Sequence, residues 1–140
     1  MSDVLIAEDD LTIADMLQDI LEQAGYTVSA VARTVDEAIR AADRHLPDFA
    51  VIDLHLANGG VGTDLAAHLR RRAKVGIIFS TGTDNQFFPP DLADAVMLKP
   101  YRLSDVVHGL RIISDIAVFG RSDVKWPVSF RLLADVAECV

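Results

Sequence analysis

Two kinds of apolar spacing alternate along this chain. Short continuous runs rich in β-branched residues recur at residues 4–7, 27–31, 49–52, 75–79 and 95–98, each the length of a buried strand. Between them, apolar residues return every three or four positions, the spacing of one helix face. Leu11, Ala14, Leu17, Leu21 and Ala24 mark a first helix, with Gly25 placed to cap its C-terminus. Thr34 and Glu37 have the spacing of a capping box that opens a second helix, which ends near His45 with Pro47 beyond. A third spans residues 62–72, carries Leu65, Ala66 and Leu69 on one side, and closes on Arg70, Arg71 and Arg72. Positive charge is favoured there by the helix dipole, so the arginine run reads as a solvated helix end rather than a binding patch. Residues 103–118 predict a last helix, with Arg102 or Ser104 near its start and Gly120 past its end. Ahead of the fifth run, Phe87, Phe88, Pro89 and Pro90 break any helical spacing, so a helix there is expected to be short or irregular.

Strands that alternate with helices need crossover connections, which predicts an α/β fold with a doubly wound, five-stranded parallel sheet. Runs this continuously apolar fit burial on both faces. In such sheets the ligand crevice lies outside the carboxyl ends of the strands. The residues at those ends are polar: Glu8, Asp9 and Asp10 after the first, Asp53 after the third, Ser80, Thr81 and Gly82 after the fourth, and Lys99 and Pro100 after the fifth. Each has a plain reading alone: an N-cap, a loop cap, a turn, a solvated lysine. Brought to one edge together, three carboxylates repel one another, so one is protonated or a cation joins them. A hard divalent ion with oxygen ligands, Mg²⁺ above all, suits that set, and the Thr81 hydroxyl and Lys99 ammonium would complete a site for a transferring phosphoryl group.

Composition narrows the partners. The chain has 140 residues, 51% of them hydrophobic, which supports one domain with a substantial core. No apolar run approaches the roughly 18 residues of a membrane span. A net charge of −8 disfavours nonspecific attraction to nucleic acid or anionic lipid. Cys139 is the single cysteine, so neither an intrachain disulfide nor a thiolate zinc cluster is expected. No export signal is read at the N-terminus, and the expected location is the cytoplasm.

The ordered set of strand-end residues resembles the receiver domain of bacterial two-component response regulators, over about residues 3–118. The resemblance implies a flavodoxin-like strand order 2-1-3-4-5 and a role for each site residue. Asp53 would accept a phosphoryl group from a histidine kinase. Mg²⁺ would be held by Asp9 directly, Glu8 mainly through water, Asp53, and the backbone carbonyl of His55. Thr81 and Lys99 would contact the phosphoryl oxygens, and the bond from Lys99 to Pro100 would be cis. Residues 1–119 would form the receiver and 120–140 a C-terminal extension, with no separate output domain. Gly59, Gly60 and Gly62 satisfy neither the P-loop nor the dinucleotide fingerprint and read as a flexible turn into the third helix. The partners implied are the kinase and a phosphotransfer or downstream regulator protein, in a role as relay, phosphate sink or partner switch. Two alternatives stand beside this: a receiver-shaped binding module that is never phosphorylated, and a haloacid-dehalogenase-like phosphatase, whose nucleophile would follow the first strand instead.

Two departures from the resemblance carry consequences. The fifth-strand position three residues before the lysine, usually aromatic in receivers that switch by rotating that ring, is Val96, so residues 86–92 become the expected switching element. Phe79, Ser80, Thr81 and Gly82 resemble a Phe-x-Thr-Gly subgroup associated with general stress signalling, although Asp84 replaces its usual tyrosine. The extension, with Trp126, Pro127 and an amphipathic stretch from Phe130, has three open roles: packing back on its own domain, forming a homodimer, or binding a target.

Overall fold

A computed structural model of the chain describes residues 2–82, 89 and 91–133. Strands β1 (Asp3–Ala7), β2 (Thr27–Ala32), β3 (Phe49–Asp53), β4 (Gly76–Thr81), β5 (Ala95–Leu98) and β6 (Phe130–Leu132) form one sheet in the order β2-β1-β3-β4-β5-β6. The first five are parallel, in the flavodoxin-like order the sequence implies. Helices α1 (Leu11–Gln23), α2 (Val35–Arg44), α3 (Gly62–Arg72) and α4 (Leu103–Phe119) cover it. Among the described residues no helix is long and apolar enough to cross a membrane.

Alternate residues of each strand feed opposite cores, although both sets are apolar. Leu5, Ala50, Ile52, Ile77 and Phe79 pack with Leu65 and Leu69 of α3 on one face. Ile6, Val51, Ile78 and Met97 pack with Leu17 and Leu21 of α1 and with Leu110 and Ile112 of α4 on the other. Burying both faces is what a parallel sheet requires, and it leaves polar groups a place only at the strand ends.

The helix starts follow local chemistry. Asp10 caps α1, its Oδ1 accepting from the N–H groups of Thr12 and Ile13 at 3.0 and 3.3 Å. Gly25, at φ +98°, turns the chain after that helix in a region few other residues adopt. Thr34 Oγ1 accepts from the Glu37 N–H at 3.1 Å. The Glu37 carboxylate reaches back one residue further than a capping box requires, to the N–H of Arg33. Replacing Thr34 by Ala is expected to cost about 1 kcal/mol, read as a lower denaturant midpoint with an unchanged slope.

The sheet gains a sixth strand that the sequence reading did not anticipate. β6 runs antiparallel to β5, with Phe130 opposite Met97, Arg131 opposite Val96 and Leu132 opposite Ala95. Phe130 is buried in the core beneath α4, and Trp126 meets its ring edge-on with centroids 5.3 Å apart. Gly109 makes room for that ring: a Cβ there would lie 3.1 Å from it. Of the three roles open to the extension, residues 130–133 take the first and pack on their own domain, where they pair the β5 edge. Residues 134–140, with Cys139, lie outside the described residues. So does most of the segment expected to hold an irregular helix and the switching element; Asp91 and Leu92 form a turn within it, the Leu92 N–H donating to Pro89 O at 3.0 Å.

Candidate functional site

Parallel pairing continues just past the strand ends and carries the polar residues to one edge. The Glu8 N–H donates to Ala32 O, that of Leu54 to Ser80 O, and that of Lys99 to Thr81 O at 2.8 Å. Each bond fixes the level at which a strand stops, so Glu8, Asp53, Thr81 and Lys99 converge without a dedicated loop to hold them. The Lys99 Nζ donates to Asp53 Oδ2 at 3.0 Å. The other Asp53 oxygen, Oδ1, accepts from the His55 N–H at 3.0 Å. Asp53 is thereby held in one orientation, 6% exposed at the crevice floor. The Lys99–Pro100 bond is cis.

Carboxylate oxygens of Glu8, Asp9 and Asp53 lie within 4.8 Å of one another. Glu8 is buried and Asp9 exposed at the mouth. Burial, then the hydrogen bond and negative charge of Asp53, push the Glu8 carboxyl up to about 8. Such a group ionises at neutral pH only if positive charge is added. Burial alone would pull the Lys99 ammonium down, but its bond to Asp53 and the charges of Asp53 and Glu8 outweigh this and raise its pKa above the usual lysine value. One ammonium against three carboxylates leaves the cluster short of cations. Hard oxygen donors at this spacing, with that deficit, fit a divalent cation such as Mg²⁺.

Thr81 is 2% exposed and pairs with Leu98, the residue before Lys99. Asp10, weighted below the acid pair in the sequence, is occupied as the α1 cap. The His55 ring is exposed, and the contact that residue makes with Asp53 is through its backbone N–H. Val96 is buried in the sheet, so no ring stands at the usual switching position.

The glycine turn proves less loose than expected. Gly62, the first residue of α3, lies so close to β3 that a Cβ would come within 2.4 Å of Asp53 O and 2.7 Å of Ile52 Cγ2. Its N–H donates to Leu54 O at 2.9 Å. The sequence reading also passed over Tyr101, whose hydroxyl shares a 2.8 Å hydrogen bond with Ser80 Oγ. That bond ties the residue before Thr81 to the one after Pro100. The only signal for it was a tyrosine two positions beyond the strand-end lysine.

Comparison with known proteins agrees with the fold. The family model for the response regulator receiver domain matches residues 4–111. The Phyllosphere-induced regulator PhyR of Methylorubrum extorquens is 32% identical over 108 residues, 75% of this chain and 40% of PhyR. A CheY-like receiver domain from Methanospirillum hungatei superposes with a TM-score of 0.74 at 27% identity, covering 82% of this chain and 94% of that one. The anti-anti-sigma factor PhyR of Bartonella quintana, a mutant form, superposes with a TM-score of 0.63 at 25% identity, covering 75% of this chain and 45% of that one. The chain therefore spans less than half the length of either PhyR protein.

Proposed function

The chain belongs to the response regulator receiver domain family, and on that premise we propose that it accepts a phosphoryl group on Asp53 from a histidine kinase in the cytoplasm and signals through protein contacts. The observation that carries this reading is the convergence of Asp53, Lys99, Glu8 and Asp9 at one sheet edge. An Asp53 oxygen attacks the phosphorus of the kinase's phosphohistidine; the P–N bond breaks as the new P–O bond forms, and the imidazole leaves with the N–P electron pair. The His55 N–H and the Lys99 ammonium orient the carboxylate for that attack. Lys99 then faces the phosphoryl oxygens, with the Thr81 hydroxyl beside it. Glu8, Asp9, Asp53 and the His55 carbonyl would hold Mg²⁺, which when bound neutralises charge on the transferring group.

The likeness to the two PhyR proteins, one of them described as an anti-anti-sigma factor, joins the Phe79–Gly82 motif in favouring a partner switch in stress signalling over a phosphate sink. Incubating the full chain with a small-molecule acyl phosphate and Mg²⁺ tests the chemistry. The expected result is a hydroxylamine-labile phosphoryl group mapped to Asp53 and absent when EDTA is present. Failure to label, or a label that maps elsewhere, overturns it. Lys99→Ala is expected to slow labelling about 100-fold, the cost of one well-placed donor to a developing anion, with little change in the Mg²⁺ affinity measured by titration calorimetry.

A further inference from the structure

A cleft of about 1080 Å³ opens beside the phosphoryl-acceptor site, between the loop joining β5 to α4 and the run of extension that leads into β6. Its lining is basic. Lys99, Arg102, Lys125 and Arg131 supply four of the chain's 13 basic side chains, against the one carboxylate of Asp105. Asp105 is engaged at the start of α4, where it accepts from the Arg102 N–H at 3.1 Å, and Lys99 is engaged with Asp53. Arg102, Lys125 and Arg131 are exposed and, among the described residues, pair with no carboxylate. In a chain with 21 acidic side chains that is a notable grouping, since like charges gathered in one cleft repel unless an anion joins them. The same rim carries exposed apolar surface: Trp126 is 39% exposed and Val128 fully so.

We propose that this cleft docks an acidic segment of a partner protein, its carboxylates on Arg102, Lys125 and Arg131 and its apolar side chains on Trp126 and Val128. Charge complementarity selects the occupant. A long polyanion such as nucleic acid meets the net charge of −8 over its whole approach. A short peptide feels mainly the charges within a Debye length, about 8 Å at physiological salt. Free phosphate would leave the apolar rim unused. The inference goes beyond phosphoryl acceptance and stands apart from it, because none of the three cations bonds to Asp53. Lys99 is nonetheless a shared wall, which sets the docked segment next to the phosphorylation site.

Trp126 is the chain's single tryptophan and reports on the cleft directly. The probe is a synthetic peptide of alternating Glu and Leu, compared with one of equal length carrying Gln for Glu, each titrated into the full chain. The Glu peptide is expected to shift Trp126 emission, with an affinity that falls as salt rises and at least about tenfold in Lys125→Glu/Arg131→Glu. Arg44→Glu, on α2, should bind as the unaltered chain does. Lys125→Gln, on an exposed loop, provides a milder variant if the double reversal loses its far-UV circular dichroism, and should weaken binding in the same direction. Equal binding of the Gln peptide overturns the proposal, as does wild-type affinity in the altered chains. So does a response of the same size to inorganic phosphate or to oligo-dT, or a homodimer seen by sedimentation that these substitutions dissociate.

Discussion

Asp53→Asn is expected to abolish phosphorylation by an acyl phosphate while leaving the fold equally or more stable. Asn matches Asp in shape and keeps an oxygen for the His55 N–H, which now donates to Asp53 Oδ1. What disappears is the anionic oxygen and one of the three acidic groups crowded there. Burial and Asp53 together hold the Glu8 carboxyl near 8, so removing the Asp53 charge relieves repulsion that the single Lys99 ammonium only partly offsets. Loss of labelling with an unchanged or higher melting temperature would assign the effect to chemistry. Loss of labelling together with unfolding would place Asp53 in the structure's support, and retained labelling would remove it from the acceptor role. With its one oxygen kept on the His55 N–H, the Asn turns its NH₂ toward Lys99, so the 3.0 Å bond is lost and the Lys99 ammonium signal should shift by NMR.

Phe130→Ala is expected to lower stability by about 3 to 5 kcal/mol, the usual range for emptying an aromatic site in a packed core. The ring is 4% exposed, lies against Gly109 and Trp126, and anchors the strand that completes the sheet. A domain of this size has a total of roughly 5 to 15 kcal/mol, so a large share of it rests on a segment beyond α4. Urea denaturation followed by circular dichroism and by Trp126 emission should show one coincident transition moved to lower urea. Trp126 emission changing alone, ahead of an unmoved main transition, would show that the extension is a detachable cover.

The fold was legible because its five parallel strands are apolar on both faces and its helices are not. The site was legible because a buried strand that ends in a charged residue has few reasons to do so, and here four strands end in a polar group of complementary chemistry. Other features gave no such signal. β6 has three residues, Phe130, Arg131 and Leu132, too few for a period of two to stand out from a helical one. The cations of the basic cleft are spread from residue 99 to residue 131 and meet only through folding. The visible basic run misleads in the opposite sense: Arg70 bonds Asp94 and Arg72 bonds Asp43, so its charge is partly used within the chain. The bond between Tyr101 and Ser80 spans 21 residues and depends on how the β5–α4 loop turns, which no local spacing encodes.

The contact at Gly62 bears on how freely this chain can change over generations. Gly25, Gly59 and Gly120 have open space around them and are held to glycine by backbone angle, a preference that Asn can often meet. At position 62 the obstruction is the backbone carbonyl of Asp53 itself, and no rotamer of any other side chain avoids it. Mutational drift is thus closed off there by a volume smaller than one methyl group. The residue that takes no part in the chemistry is among the least replaceable near it.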